Sequence, residues 1–130
     1  MAIASRLIML SVSLFLAALP GAHAANPLTM LDPDKDGTVD MVETWAAASA
    51  LFDRLDRDRD GTLDRKELRG RVSAADFAAA DPDKDGTLDK AEYMRIVEAR
   101  FRAANPDFDL TLDARELASP AGRALLKLLV

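Results

Sequence analysis

Four short segments of the sequence place Asp, Glu and Thr at a spacing that suits the binding of a hard cation. They read DPDKDGTVDMVE from Asp32, DRDRDGTLDRKE from Asp56, DPDKDGTLDKAE from Asp81 and NPDFDLTLDARE from Asn105, and they hold all but three of the chain's 22 acidic residues. A cation of calcium size takes six to eight oxygen ligands at roughly 2.3–2.6 Å. Carboxylates this crowded repel one another, so a bare capping turn would gain nothing from them. We therefore predict metal binding.

The segments match the twelve-residue EF-hand calcium loop, in which positions 1, 3, 5, 7, 9 and 12 supply the ligands and position 7 uses its backbone carbonyl. Gly37, Gly61 and Gly86 stand at position 6, where the sharp turn favours a positive φ. The predicted ligands are Asp32, Asp34, Asp36, Thr38, Asp40 and Glu43 in loop 1, Asp56, Asp58, Asp60, Thr62, Asp64 and Glu67 in loop 2, and Asp81, Asp83, Asp85, Thr87, Asp89 and Glu92 in loop 3.

Loop 4 departs from this pattern. Leu110 replaces the glycine of position 6, and a β-carbon in a left-handed conformation costs about 1–2 kcal/mol. Position 1 is uncharged, and Phe108 stands where the other loops carry Lys or Arg. We expect a weak or merely structural site here, with the ligand positions Asn105, Asp107, Asp109, Thr111, Asp113 and Glu116.

The composition excludes several classes of function. The 130 residues have a net charge of −5, whereas a nucleic-acid binder needs a basic face. There is no Cys, and the only His is His23, so zinc sites, thiol catalysis and most nucleophile–base pairs lack their residues. The acidic residues are committed to the loops, and we predict that the protein is not an enzyme.

The N-terminus has the pattern of a secretory signal peptide. Arg6 precedes the apolar run 7–19, and Ala22-His23-Ala24 forms a cleavage motif after Pro20 and Gly21. We expect residues 1–24 to be removed, which leaves a four-EF-hand metal-binding domain over 25–130. The apolar run is short for a membrane span of about 20 residues, so no membrane attachment is expected after cleavage.

The loops lie too close together for ordinary separate EF-hand pairs, because only 12, 13 and 12 residues separate them. Apolar residues recur at helical spacing over 44–55 and 94–104, which predicts two uninterrupted helices that neighbouring hands share. Gly70 can end a short helix, and Ser73 can cap the next one, so the chain turns back between loops 2 and 3. A last helix is predicted from Ser119-Pro120 to about Val130.

The shared helices and the turn between loops 2 and 3 predict an all-α fold, a compact three-helix bundle with the four EF-hand loops at its ends. The position-8 residues then pair the loops, Leu63 with Leu88 and Val39 with Leu112. The core is predicted to contain the aromatic or aliphatic residue that lies four positions before each loop, and we place Trp45 and Tyr93 in the core or at its rim. The residues before the loops are Leu28, Phe52, Phe77 and Phe101.

Several features together resemble the lanmodulin family of periplasmic lanthanide-binding EF-hand proteins. These are the signal peptide, the close loops, the position-9 Asp of every loop, the closing stretch LDARELASPAGRALLKLL, and proline at position 2 in Pro33, Pro82 and Pro106. The resemblance implies a periplasmic location, binding of trivalent lanthanide ions in preference to calcium, folding on metal binding and a role in lanthanide uptake or handling. Loop 2 departs from it, because Arg57 replaces the proline.

Two other functions use the same loops. A periplasmic calcium buffer or sensor would bind calcium, and a dockerin-like module would use calcium as structure to present a helix face to a protein partner. A protein partner in metal handling is also compatible with the sequence, which does not identify it. A competition titration between lanthanum and calcium separates lanthanide binding from a calcium buffer or sensor, and a pull-down that requires metal would favour the dockerin-like module.

Overall fold

The computed structural model describes residues 26–130, so the predicted signal peptide, residues 1–24, lies outside it. Helices within this range reach at most 15 residues, and none has the length and apolarity that a membrane span requires. In chain order the elements are α1 (Pro27–Leu31), β1 (Val39–Asp40), α2 (Met41–Leu55), β2 (Thr62–Asp64), α3 (Ala74–Ala80), β3 (Thr87–Asp89), α4 (Lys90–Ala104), β4 (Thr111–Leu112), α5 (Ala114–Ala118) and α6 (Pro120–Leu126).

Two short antiparallel sheets pair the loops in a nested order. In one sheet β2 and β3 join loops 2 and 3, with Leu63 opposite Leu88. In the other, β1 and β4 join loops 1 and 4, with Val39 opposite Leu112. All four of these position-8 side chains are fully buried. Both predicted pairings are therefore confirmed, and each sheet places two of the predicted loops side by side.

Helices α2 and α4 are the two long helices, and their N-termini are fixed by the loops that precede them. Asp40 caps α2 and Asp89 caps α4, each within a capping box that removes two unpaired backbone donors. The rings of Phe52 on α2 and Tyr93 on α4 meet edge to face with centroids 5.4 Å apart. Helix α4 also packs against α3 and α6, so it is the element around which the others assemble.

The prediction of a mostly helical fold is confirmed, but the arrangement as three main helices is not. Among the described residues two helices have 15 residues and four have only five or seven, and the two small sheets add strands to the predicted all-α fold. After loop 2 the chain forms turns over 65–71 instead of the predicted short helix, and Gly70 has a φ of +75°. Ser73 does cap α3, as predicted.

The C-terminal segment is split into two helices that meet at a tight corner. Ser119 ends α5 and caps α6, with its hydroxyl oxygen accepting the Gly122 N–H at 3.0 Å. Helix α6 ends at Leu126, short of the predicted Val130, and turns follow it. The Tyr93 hydroxyl donates to the Leu128 carbonyl at 2.7 Å, which ties this segment to α4.

The predicted core is largely correct. Phe52, Phe77 and Phe101 are buried, Leu28 is half-buried against them, and Tyr93 is fully buried. Trp45 is 44% exposed, which places it at the rim of α2, outside the core.

Candidate metal centres

Loop 1 is wound around the carboxylate of Asp32. The Oδ1 and Oδ2 atoms of Asp32 accept the backbone N–H groups of Asp36 at 3.1 Å and Gly37 at 2.9 Å. This winding requires left-handed residues at positions 4 and 6, which are Lys35 with φ 60° and Gly37 with φ 87°. Carboxylate oxygens of Asp32, Asp34 and Asp36 come to lie within 4.8 Å of one another, a separation that one cation can bridge.

Loops 2 and 3 repeat this geometry. In each, the position-1 carboxylate accepts the N–H groups of positions 5 and 6, and the threonine at position 7 donates both its N–H and its hydroxyl to the position-5 Asp. The carboxylates that lie within 4.8 Å of one another are Asp56, Asp58 and Glu67 in loop 2, and Asp81, Asp83 and Asp85 in loop 3. The structure thus brings the predicted residues together at three places.

The position-12 Glu of loop 1 has an oxygen that fits a cation. Glu43 Oε2 accepts the Asp40 N–H at 2.9 Å, whereas the buried Oε1 has no hydrogen-bond partner. A buried oxygen without a partner is energetically unfavourable, and a metal ion is one ligand that would satisfy it. In loop 2 the corresponding oxygen, Glu67 Oε1, accepts the backbone N–H of Arg57 at 3.2 Å.

The position-9 Asp has a second task that the sequence analysis did not assign. In every loop one of its oxygens accepts the backbone N–H of the position-12 Glu at 2.8–2.9 Å, and the Glu side chain accepts the Asp N–H in return. Only the other carboxylate oxygen is then free for a metal or a bridging water. The sequence signal for this was the capping-box pattern, an Asp followed by Glu three residues later.

The pKa of the position-3 carboxyl is raised in loops 1, 2 and 3. The pKa of Asp34 is raised, first because its protonated form can hydrogen-bond to Asp32, and also by burial and the negative charges nearby. The pKa of Asp83 is raised in the same way by Asp81. Burial comes first in raising the pKa of Asp58, followed by Asp56 and the neighbouring negative charges. These carboxyls therefore favour a compensating positive charge.

The position-12 glutamates show the same tendency. The pKa of Glu43 in loop 1 and that of Glu116 in loop 4 are raised first by burial and then by the negative charges of the loop around them. By contrast, burial would raise the pKa of Asp32, but hydrogen bonds from the Gly37 N–H, the Asp34 carboxyl and the Asp36 N–H together lower it. The wound loop therefore stabilises the charge at position 1 and concentrates the repulsion at the positions facing it.

Loop 4 has the same winding with a weaker ligand set. Leu110 adopts a φ of 71° although it is not glycine, and it is 74% exposed. In the amide orientation that satisfies both of its atoms, Asn105 accepts the Leu110 N–H at 3.2 Å and donates to Asp107 Oδ1 at 2.7 Å. The amide therefore replaces Asp at position 1 without changing the fold of the loop, but it offers no negative charge.

Comparison with known proteins supports the interpretation of the loops as EF-hand motifs. The EF-hand family model matches residues 49–73 and 74–97, which contain loops 2 and 3. The chain is also 61% identical over 75 residues to lanmodulin from Methylorubrum extorquens, an alignment that covers 52% of this chain and 56% of that protein. The chain thus spans about half the length of this curated relative.

These matches bear on the predictions made from sequence. EF-hand motifs together with carboxylate clusters support metal binding, and a metal-binding role is consistent with the prediction that the protein is not an enzyme. The predicted resemblance is confirmed: over about half of its length this chain is similar to lanmodulin, and it contains EF-hand motifs.

Proposed function

We propose that the mature protein binds trivalent lanthanide ions in the periplasm through loops 1, 2 and 3, and that it serves lanthanide uptake or handling. The observation that carries the proposal is the gathering of three carboxylates within 4.8 Å in each of these loops. The similarity to lanmodulin supports the choice of ion. Loop 4, with its uncharged position 1, is proposed to bind weakly.

Charge favours a trivalent ion in these loops. The five carboxylates of each loop carry a charge of −5, which a divalent ion reduces to −3 and a trivalent ion to −2. Like charges about 4 Å apart cost on the order of 1 kcal/mol in water and more near a protein surface. Both kinds of ion take hard oxygen ligands, so the additional charge is the property on which discrimination would rest.

We also propose that the metal drives folding. The raised pKa values of Asp34, Asp58 and Asp83 indicate that each folded loop disfavours the negative charge at position 3, whereas the lowered pKa values of Asp32, Asp60 and Asp81 indicate that it favours the charge at position 1 or 5. A chain of this size has only a small core to oppose that repulsion. A cation that binds the folded loops alone would remove the repulsion and stabilise the fold by mass action. Without metal we expect a partly disordered chain.

One titration tests ion choice and folding together. Protein lacking residues 1–24 is stripped with chelator, and its helix content is followed by circular dichroism as lanthanum is added in a large excess of calcium. We expect low helix content in chelator and a rise as lanthanum displaces calcium. Failure of lanthanum to outcompete calcium would favour a calcium buffer or sensor, and equal helix content with and without metal would contradict metal-driven folding.

The location has its own test. The complete chain is expressed in a Gram-negative bacterium, and the cells are fractionated. We expect the protein in the periplasmic fraction, with an intact mass that begins at Ala25. A chain that keeps residues 1–24 and stays with the cytoplasmic fraction would contradict this proposal.

A further inference from the structure

Two positively charged side chains reach across between loops 2 and 3 in a reciprocal arrangement. Arg65 follows β2 and stands at position 10 of loop 2, and its guanidinium carbon lies 5.1 Å from the ring centre of Phe77. Lys90 stands at position 10 of loop 3, and its ammonium nitrogen lies 5.2 Å from the ring centre of Phe52. Each cation therefore lies over an aromatic ring that belongs to the other loop's incoming helix.

The two aromatic rings hold the helices that lead into the loops. Phe52 lies on α2 four residues before Asp56, the first residue of loop 2, and its carbonyl accepts the Asp56 N–H at 2.9 Å. Phe77 lies on α3 four residues before Asp81, the first residue of loop 3. Both rings are buried. A shift of either ring would move the position-1 carboxylate around which its loop is wound.

Lys90 has further anchors on α2. Its ammonium group donates to Asp53 Oδ1 at 2.8 Å and to Ser49 Oγ at 3.0 Å. Its positive charge is thus directed to α2, although the residue lies directly after the position-9 Asp of loop 3. In the pair of loops 1 and 4, position 10 is Met41 or Ala114, neither of which carries a charge.

We propose that Arg65 and Lys90 are positioning residues that cross-brace loops 2 and 3, each fixing the incoming helix of the other loop and thereby setting that loop's metal affinity. The inference rests on the proposed metal binding by these loops. The proposal predicts that each substitution acts on the opposite loop. Removal of the Lys90 cation weakens metal binding at loop 2, and removal of the Arg65 cation weakens metal binding at loop 3. A purely electrostatic role predicts the reverse sign, since loss of a positive charge strengthens cation binding at both loops.

The test reads the two loops separately. In the ¹⁵N-labelled mature chain the amides of Gly61 and Gly86, which donate to the position-1 carboxylates of loops 2 and 3, are followed by NMR during a lanthanum titration with a competing chelator. We expect Lys90→Gln to weaken loop 2 by about twofold to fivefold with little loss at loop 3, as befits an exposed cation–aromatic contact. Arg65→Gln is expected to do the opposite.

Controls separate the brace from charge and from folding. Lys66→Gln and Arg95→Gln remove the same charge from exposed neighbouring residues. Neither should weaken metal binding at the opposite loop. Lys90→Arg and Arg65→Lys keep the cation and should restore the affinity. Equal changes at both loops, or a gain at both, would overturn the proposal.

The same amides also distinguish the two possible failures. If lanthanum shifts neither amide in the unsubstituted protein, the proposed function fails. The brace is then judged by hydrogen exchange of the two amides in metal-free protein. Faster exchange at Gly61 in Lys90→Gln and at Gly86 in Arg65→Gln would support it, and exchange equal to that of the parent would overturn it.

Discussion

The backbone N–H of Arg57 donates to Glu67 Oε1 at 3.2 Å, joining positions 2 and 12 of loop 2. Loops 1, 3 and 4 have proline at position 2, and proline has no N–H to donate. In loop 1 the corresponding Glu43 Oε1 is left without a partner. Proline at this position therefore leaves a metal-facing carboxylate oxygen without a competing donor.

The first prediction concerns this donor. Arg57→Pro removes the N–H and should strengthen metal binding at loop 2 by about threefold to tenfold relative to Arg57→Ala. The reason is that the metal ion no longer competes with this N–H for Glu67 Oε1. Both variants lose the Arg charge, so the comparison isolates the N–H and the proline ring. Isothermal titration in chelator-buffered metal measures the difference. The reverse change in loop 1, Pro33→Ala, should weaken that loop, and equal affinities in either pair would refute the explanation.

The second prediction separates the two oxygens of Glu43. Glu43→Gln keeps an oxygen that can accept the Asp40 N–H but removes the charge offered to the metal. Metal affinity at loop 1 should fall on the order of tenfold or more. Because the pKa of Glu43 is raised by burial and then by neighbouring negative charges, the neutral amide should leave the metal-free helix content equal or higher. Glu98→Gln, an acid outside the loops, is the matched control for charge, and it should leave the affinity unchanged.

The third prediction concerns alkaline pH. Burial raises the pKa of Tyr93 to about 12, although Arg71 and Arg100 lower it in part. Tyr93 is the only tyrosine, so tyrosinate absorbance should titrate near this value in folded, metal-loaded protein and near its ordinary value of about 10 in urea. Between these two values the unfolded chain has lost the proton and the folded chain has kept it. The free energy of unfolding should therefore fall by up to about 1.4 kcal/mol per pH unit.

Tyr93→Phe provides the control for the alkaline effect. It removes the ionisable group together with the hydrogen bond to the Leu128 carbonyl, so it should lower stability at neutral pH while flattening the dependence between pH 10 and 12. A variant that loses stability over that range as steeply as the parent would show that another group is responsible.

The fourth prediction concerns the left-handed Leu110 in loop 4. Leu110→Gly relieves a backbone cost of about 1–2 kcal/mol, partly offset by about 0.5–1 kcal/mol of additional chain entropy in the unfolded state. We expect a net stabilisation of about 0.5–1 kcal/mol and tighter metal binding by loop 4. Urea unfolding of metal-loaded protein measures the stability. Leu110→Ala keeps the β-carbon and should give no gain, so an equal gain from Ala would locate the cause in the exposed side chain.

The fifth prediction tests the corner between α5 and α6. A β-carbon on Gly122 would lie 2.0 Å from the Glu116 carbonyl oxygen and 2.6 Å from the Leu117 Cα, and both are backbone atoms that cannot move aside locally. Gly122→Ala should therefore destabilise the metal-loaded protein by about 2–3 kcal/mol in urea unfolding. Arg123→Ala, at the exposed neighbouring position, should change stability by no more than about 0.5 kcal/mol. Similar losses in the two variants would mean that the corner is not tightly packed.

Much of the fold followed from periodicity and spacing. The helix over 44–55, the pairing of Leu63 with Leu88 and the capping by Ser119 depend on local patterns, and local patterns are what a sequence displays directly. The early end of α6 was not predictable in this way. Backbone hydrogen-bonded turns follow it, and the Leu128 carbonyl accepts a tertiary hydrogen bond from Tyr93, 35 positions away.

The candidate site also has features that the sequence predicts and features that it does not. The EF-hand register predicted which acidic residues of loop 1 lie close together, because the register is a short-range property of twelve residues. The crossing of Lys90 to Phe52 depends on how distant segments meet, and the bond from Arg57 to Glu67 depends on the side-chain geometry within loop 2, which the register does not fix. The rim position of Trp45 has a similar origin: the helical stripe identified its side of α2, but the width of the buried face depends on the neighbours.

The pairing of Val39 with Leu112 sets an order of assembly. The partners of the inner sheet lie about 25 residues apart and those of the outer sheet about 70, so closing the outer sheet first would carry the larger loop-closure entropy. While the chain is being synthesised, loop 1 must remain unpaired until loop 4 has emerged. Truncation upstream of Thr111 would leave loops 2 and 3 able to meet but would deprive loop 1 of its only strand partner within residues 26–130.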